Sequence, residues 1–213
     1  MADVFGIDVE SEITSQDELR RYRNPPSRFV ANKAIDHVDD LARKFIAASS
    51  MVILATRRQD GGVDTTPRGD PPGFVKVVSD KVIALPDRLG NNRADAFENI
   101  IRDPGVGLYF MIPGYRDSLR VSGRARIVRD TSIFASMEVN GHTPDLAILV
   151  EVDHLLSHCP KAFVRAKMWD KEKWPDTSDV PSAGTFLKVH GKLEDKVSDV
   201  DAIVVKDGQN RLY

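Results

Sequence analysis

The chain has one cysteine, Cys159, in 213 residues, so no internal disulfide can staple it. That usage suits a reducing, cytoplasmic setting. No apolar run approaches the length that crosses a bilayer, so a membrane partner is not expected. The N-terminal MADVFGIDVESEI is acidic and lacks the basic flank and apolar stretch of a secretory signal. Neither sign of charge dominates. Lys and Arg number 30 against 32 Asp and Glu, a net charge of -2, which gives no general affinity for nucleic acid. The catalytic signatures G-x-S-x-G and H-E-x-x-H, the P-loop and G-x-G-x-x-G are missing, so no nucleophile–base pair can be named. His154, His158 and Cys159 are read on a helix, where His at i and i+4 could chelate zinc. No fourth ligand stands at usable spacing, and no metal site is read.

What is present is a core-forming pattern: 41% hydrophobic and 29% charged residues, enough for one domain with appendages. Thr14 reads as a helix cap, with a helix to about Tyr22 broken by Asn24-Pro25-Pro26. From Val30 to Ser49, Ile35, Val38, Leu41, Phe45 and Ile46 recur at helical spacing. Met51–Thr56 and Val63–Arg68 are strands about a Gln59-Asp60-Gly61-Gly62 turn. Asp70-Pro71-Pro72-Gly73 breaks the chain. Phe74–Val78 and Lys81–Leu85 make a second hairpin. A helix over Arg93–Arg102 carries Ala94, Phe97, Ile100 and Ile101 on one face.

Val106–Ile112 comes next as a strand. Ser118–Val128 alternates strictly, with Leu119, Val121, Gly123, Ala125 and Ile127 opposite three arginines. Ile133–Val139 reads as a short helix and Leu146–Val152 as a buried strand. Trp169–Val180 reads as an exposed loop, and Ser182–Val189 as a short helix. The pattern after Asp153 is helical and irregular, and Glu194–Tyr213 is ambiguous. Hairpins and few crossovers favour a mainly β fold with α (α+β), an antiparallel split barrel with flanking helices.

The stretch VDTTPRGDPPGFVKVVSDKVIALPDRLGNNR, 63–93, combines two anion-friendly elements. Thr65, Thr66, Pro67 and Arg68 put hydroxyls and a guanidinium at a strand end. Gly90-Asn91-Asn92-Arg93 opens a helix, where Asn91 or Asn92 can cap and N–H groups face an anion. Alone, Arg68 reads as a surface arginine beside a turn before it reads as a phosphate ligand, and the asparagines read equally as an ordinary N-cap; together the two elements can converge on one phosphate.

TTPRGDPPGFV (65–75), IALPDRLGNNRADAFENIIRDPGVGLYFMIPG (83–114) and SLRVSGRARIV (118–128) resemble, in order, the pyridoxamine 5′-phosphate oxidase-like flavoproteins of the FMN-binding split-barrel fold. The resemblance covers about Ser15 to Trp169. It implies one domain over 1–213, with a helical lead-in at 14–49, a barrel at about 51–153 and a closing segment at 154–213. It implies FMN as cofactor and a homodimer with FMN at the interface. Thr65, Thr66, Pro67 and Arg68 would run along the flavin and its phosphate. Leu85, Pro86 and Asp87 would lie by the ring, and Asn91, Asn92 and Arg93 by the phosphate. Ser118 and Arg120 would come from the other subunit, and Arg165 and Trp169 would close the site.

The activity implied is an FMN-dependent oxidoreduction of a small molecule by hydride or electron transfer, with no catalytic acid or base named. The alternatives are a non-catalytic flavin carrier or sensor, a haem-binding use of the same barrel, and a deazaflavin in place of FMN. Asp70-Pro71-Pro72 stands where the vitamin B6 oxidases carry a longer basic strand. Asn210-Arg211-Leu212-Tyr213 lacks their Arg-x-His element. Both departures argue against the vitamin B6 substrate and leave the cofactor untouched.

Overall fold

A computed structural model describes residues 2–129 and 132–213. Two compact units are present, Met1–Ala34 and Ile35–Tyr213. The first holds a hairpin of β1 (Ala2–Val4) and β2 (Ile7–Val9), then helices α1 (Gln16–Tyr22) and α2 (Arg28–Ala31). Ser15, one residue past the expected Thr14, caps α1 by accepting from the Glu18 N–H.

The second unit is built on a seven-stranded antiparallel sheet. Its strands are β3 (Met51–Arg57), β4 (Val63–Gly69), β5 (Lys76–Val77), β6 (Val82–Pro86), β7 (Gly105–Met111), β8 (Ser118–Val128) and β9 (Ala147–His158). The order across the sheet is β4-β3-β7-β8-β9-β6-β5. The expected hairpins form at β3–β4 and β5–β6, and the alternation of β8 is realised: Leu119, Val121 and Ala125 are buried while Arg120, Arg124 and Arg126 are exposed. β9 runs six residues past the expected Val152. His154 and His158 therefore lie on a strand, and the helical i, i+4 geometry for zinc is not there. Among the described residues no group of His, Cys, Asp and Glu could hold a metal, and no helix is long and apolar enough to cross a membrane.

Helices α3 (Asp40–Ala48) and α4 (Asp95–Arg102) contact this sheet. The helix expected from Val30 starts only at Asp40. Ile35 is held extended by a two-bond bridge to Leu155, and Val38 N–H donates to the Asp80 carbonyl. Asp39 then caps α3 by accepting from Ala42 N–H at 2.8 Å. Val38, Ala42 and Ile46 face the core, four residues apart, and Leu41 points outward. In α4, buried Asn99 replaces the expected Ile101, which is 76% exposed. Asn99 Nδ2 donates to Thr56 Oγ1 at 3.1 Å and Asp64 Oδ2 at 2.9 Å, so a polar side chain is tolerated inside because it is satisfied.

Past β8 comes a 3₁₀ turn, Ser132–Met137, where a helix was expected. After β9 come α5 (Lys161–Arg165), a 3₁₀ turn at Lys171–Lys173 inside the expected loop, α6 (Ala183–Gly191) and α7 (Val197–Asn210). The ambiguous tail is thus mostly helix. Asp201 of α7 accepts from Ser182 Oγ and the Gly184 N–H, tying the two helices together.

The β8–β9 ladder slips register between Ser122 and Gly123. A Cβ at Gly123 would stand 1.9 Å from the Glu151 carbonyl oxygen, so only glycine fits this bulge. Gly123→Ala is expected to cost about 1–3 kcal/mol or more, read as a lower urea midpoint; an unchanged midpoint would show that the ladder adjusts freely.

Candidate functional site

β4 and the segment from Pro86 to Phe97 wall a cleft of about 790 Å³. The alternation of β4 turns Asp64, Thr66 and Arg68 to one face. Asp64–Gly69, Pro86–Phe97, Thr56, Phe74 and Leu146 line the cleft. Of the residues expected at the site, the structure gathers Thr65, Thr66, Pro67, Arg68, Pro86, Asp87, Asn91, Asn92 and Arg93 here. Leu85, also expected, is 1% exposed within the core instead. Ser118, Arg120, Arg165 and Trp169 do not line the cleft of this chain. Ser118 is buried and donates to the Tyr109 hydroxyl at 2.6 Å, and Arg120 and Arg165 are exposed. Trp169 stacks on Phe163 and donates to the Tyr115 carbonyl.

Arg68 is a half-committed cation of the cleft, paired on one side only. Its Nη1 donates to Asp87 Oδ1 at 3.0 Å, and its guanidinium lies 5.6 Å from the Phe97 ring centroid. Its Nε is buried and has no hydrogen-bond partner. A buried donor left without a partner is costly. Burial raises the Asp87 carboxyl above its ordinary value of 3.8, against the pull of Arg68.

Neither Asn91 nor Asn92 caps α4. Ala94, with φ 57°, occupies the cap position and offers no side-chain bond. Asn91 Oδ1 instead accepts from the Arg93 N–H, shaping the loop. The N-terminus of α4 lies on the cleft wall, with Ala94, Asp95 and Ala96 lining it. Arg93 is exposed and paired to Asp95 at 2.7 Å.

Sequence reasoning passed over Arg88. Its Nε donates to Asp70 Oδ2 at 2.6 Å and its Nη2 to the Met137 carbonyl at 2.6 Å. Tyr213 donates to the other oxygen of Asp70 at 2.6 Å, and its ring lies 5.5 Å from the Arg88 guanidinium. The hydrogen bond to Asp70 also raises the Tyr213 phenol above its usual value. Asp70 is 1% exposed at its side chain. The Pro71-Pro72-Gly73-Phe74 turn, with Gly73 at φ 81° and Phe74 N–H bonded to the Pro71 carbonyl, folds directly after Asp70. An Asp before two prolines was the available signal; its partner 18 residues on was not.

A seven-stranded antiparallel sheet with helices and a cleft at a strand end defines the class. The chain belongs to the pyridoxamine 5′-phosphate oxidase family, whose profile residues 38–159 match. Among curated proteins, none matches it in sequence. Solved structures give low-identity likenesses. One is a Lactobacillus delbrueckii protein described as a pyridoxamine 5′-phosphate oxidase (17% identity, TM-score 0.46, covering 57% of this chain and 95% of that one). Another is general stress protein 26 from Bacillus anthracis (16%, 0.43, 54% and 88%). A third is an FMN-binding protein from Syntrophomonas wolfei (12%, 0.44, 55% and 82%).

Asp70→Ala should strand the Arg88 cation and cost about 3–5 kcal/mol, whereas Tyr213→Phe, losing one hydrogen bond, should cost about 1 kcal/mol. Urea denaturation of both variants ranks them; equal losses would contradict the network.

Proposed function

We propose that this chain binds FMN in the cleft and is an FMN-dependent oxidoreductase acting on a small molecule, with family membership as its frame. The observation that carries the reading is the unpartnered, buried Nε of Arg68 beside the helix N-terminus of α4. That donor set suits a phosphate monoester, which brings several strong acceptor oxygens. Arg68, Asn92 and Arg93 would hold the phosphate; Thr65, Thr66, Pro67, Pro86 and Asp87 would line the ring, with Leu85 in the core of the same strand, β6. When bound, FMN supplies the electron-transfer chemistry, and the protein supplies orientation and electrostatics.

The fold reading extends to a split barrel. Between β4 and β6 lie four strands, so a flat sheet would hold the two about 24 Å apart. Arg68 and Asp87, from β4 and the end of β6, meet at 3.0 Å. That distance supports a sheet curled back on itself.

A homodimer is part of the reading. Met51, Ile53, Ala55, Tyr109 and Met111 are only half-buried on the sheet face away from α3 and α4, a surface suited to a second copy. Ser118, Arg120, Arg165 and Trp169 would serve the partner's cleft. The single domain over 1–213 and a cytoplasmic location belong to the same reading.

Purified protein is expected to show flavin absorption bands, and stripped protein to bind FMN in a fluorescence titration. A Soret band would mark haem instead, and no binding of either would end the cofactor reading. Reduction by NADH or NADPH with oxygen consumption separates turnover from a carrier. Arg68→Ala should weaken FMN by about 10- to 100-fold, the worth of charge-assisted bonds. Arg93→Ala should matter less, since Arg93 is exposed and already paired. The reverse ranking would refute the phosphate assignment.

A further inference from the structure

Every arginine on the cleft wall already has an aspartate: Arg68 with Asp87, Arg88 with Asp70, and Arg93 with Asp95. Asp64, the remaining charged residue there, accepts from Asn99 and lies 3.5 Å from Arg58. The cleft that would take an anion therefore holds no arginine without a carboxylate partner before the anion arrives. A ligand phosphate must replace a carboxylate or bind beside one.

The three pairs differ in how they can yield. Arg88 is locked by three contacts, to Asp70, the Met137 carbonyl and the Tyr213 ring. The Arg93–Asp95 pair is exposed, with side chains 71% and 48% accessible, and solvent screens it. Arg68–Asp87 lies between these extremes, at 22% and 29%, and only there is a buried guanidinium donor unused.

We propose that Asp87 is the resident counter-ion of Arg68, and that an incoming phosphate or sulfate group exchanges places with it at the guanidinium. The inference rests on the anion-binding reading of the cleft and adds its regulation. Asp87 is well suited to leave. Its backbone is anchored, with N–H donating to the Leu146 carbonyl, so only the side chain need turn. The charged groups acting on it are Arg68 from β4 and its own neighbour Arg88, while α4 presents apolar Phe97 behind Arg68. Burial already disfavours its charged form.

Once Arg68 turns to the anion, Asp87 loses its counter-charge and gains a like charge nearby. Both changes favour its protonated form, so anion binding takes up a proton. Affinity then rises as pH falls through the raised Asp87 pKa. A phosphate monoester confuses this, because it titrates near about 6 itself. Sulfate does not titrate in that range and is the cleaner probe.

Asp87→Asn is the test. At neutral pH, sulfate should bind the variant roughly 10- to 100-fold more tightly than the wild type, measured by thermal shift against concentration. Most of its pH dependence should go, and Arg68→Gln should abolish the response. On the wild type, carboxyl NMR should find the Asp87 titration moved upward by sulfate, which decides the matter if Asp87→Asn does not fold. Sulfate binding that is unchanged or weaker in Asp87→Asn, or an Asp87 titration indifferent to sulfate, overturns the exchange. FMN titration of both proteins separates the two ideas. Sulfate exchange without FMN binding sinks the FMN reading and leaves the exchange standing. FMN binding without sulfate exchange does the opposite.

Discussion

Arg68 and Asp87 come from strands that the sheet order keeps four strands apart, and their 3.0 Å contact is possible only because the sheet between them bends. One irregularity lies in the middle of that sheet. β8 and β9 are the longest strands, and their ladder carries the register slip at Ser122/Gly123 where the Glu151 carbonyl closes onto a residue without a Cβ. Bulges increase local twist and re-aim the strand beyond them. β3, β4 and β7 lie on one side of that ladder and β5 and β6 on the other. The cleft lies where these two flanks meet, between β4 and the segment that follows β6.

The legible part of the fold was the part with a simple period. Alternation along 118–128 set β8 to the residue, and the turn chemistry of Gln59-Asp60-Gly61-Gly62 set the first hairpin. Helix starts were less legible, because they answer to distant partners. Nothing near Ile35 shows that Leu155 will hold it extended, and that bridge delays α3 to Asp40. Asn99 buried in place of Ile101 has the same cause, since its partners Thr56 and Asp64 lie 43 and 35 residues away. Tertiary satisfaction overrode local period in both places.

At the site, sequence found the two anion-friendly elements, and folding brought them to one cleft. It did not find what neutralises them. Charge type is visible in a sequence, but pairing across 18 or 143 residues is not, and that is the separation of Arg88 and Tyr213 from Asp70. It also assigned helix capping to asparagines, where the backbone of Ala94 adopts the left-handed conformation instead. An uncapped helix start costs stability, and it faces the cleft.

The Asp70-Pro71-Pro72-Gly73 segment gains a physical role from these contacts. Where a longer basic strand would add cationic charge to the wall, this chain buries a carboxylate and uses it to fix Arg88. Arg88 adjoins Asp87, so the lock on one arginine holds the backbone from which the other arginine's partner must swing. Rigidity at Arg88 and freedom at Asp87 are then complementary. With every arginine of the wall paired at rest, the cleft avoids the cost of several unpaired cations held together without ligand, and a ligand there has to outcompete a carboxylate at a guanidinium. A doubly charged phosphate does so; a singly charged carboxylate ligand has no such advantage.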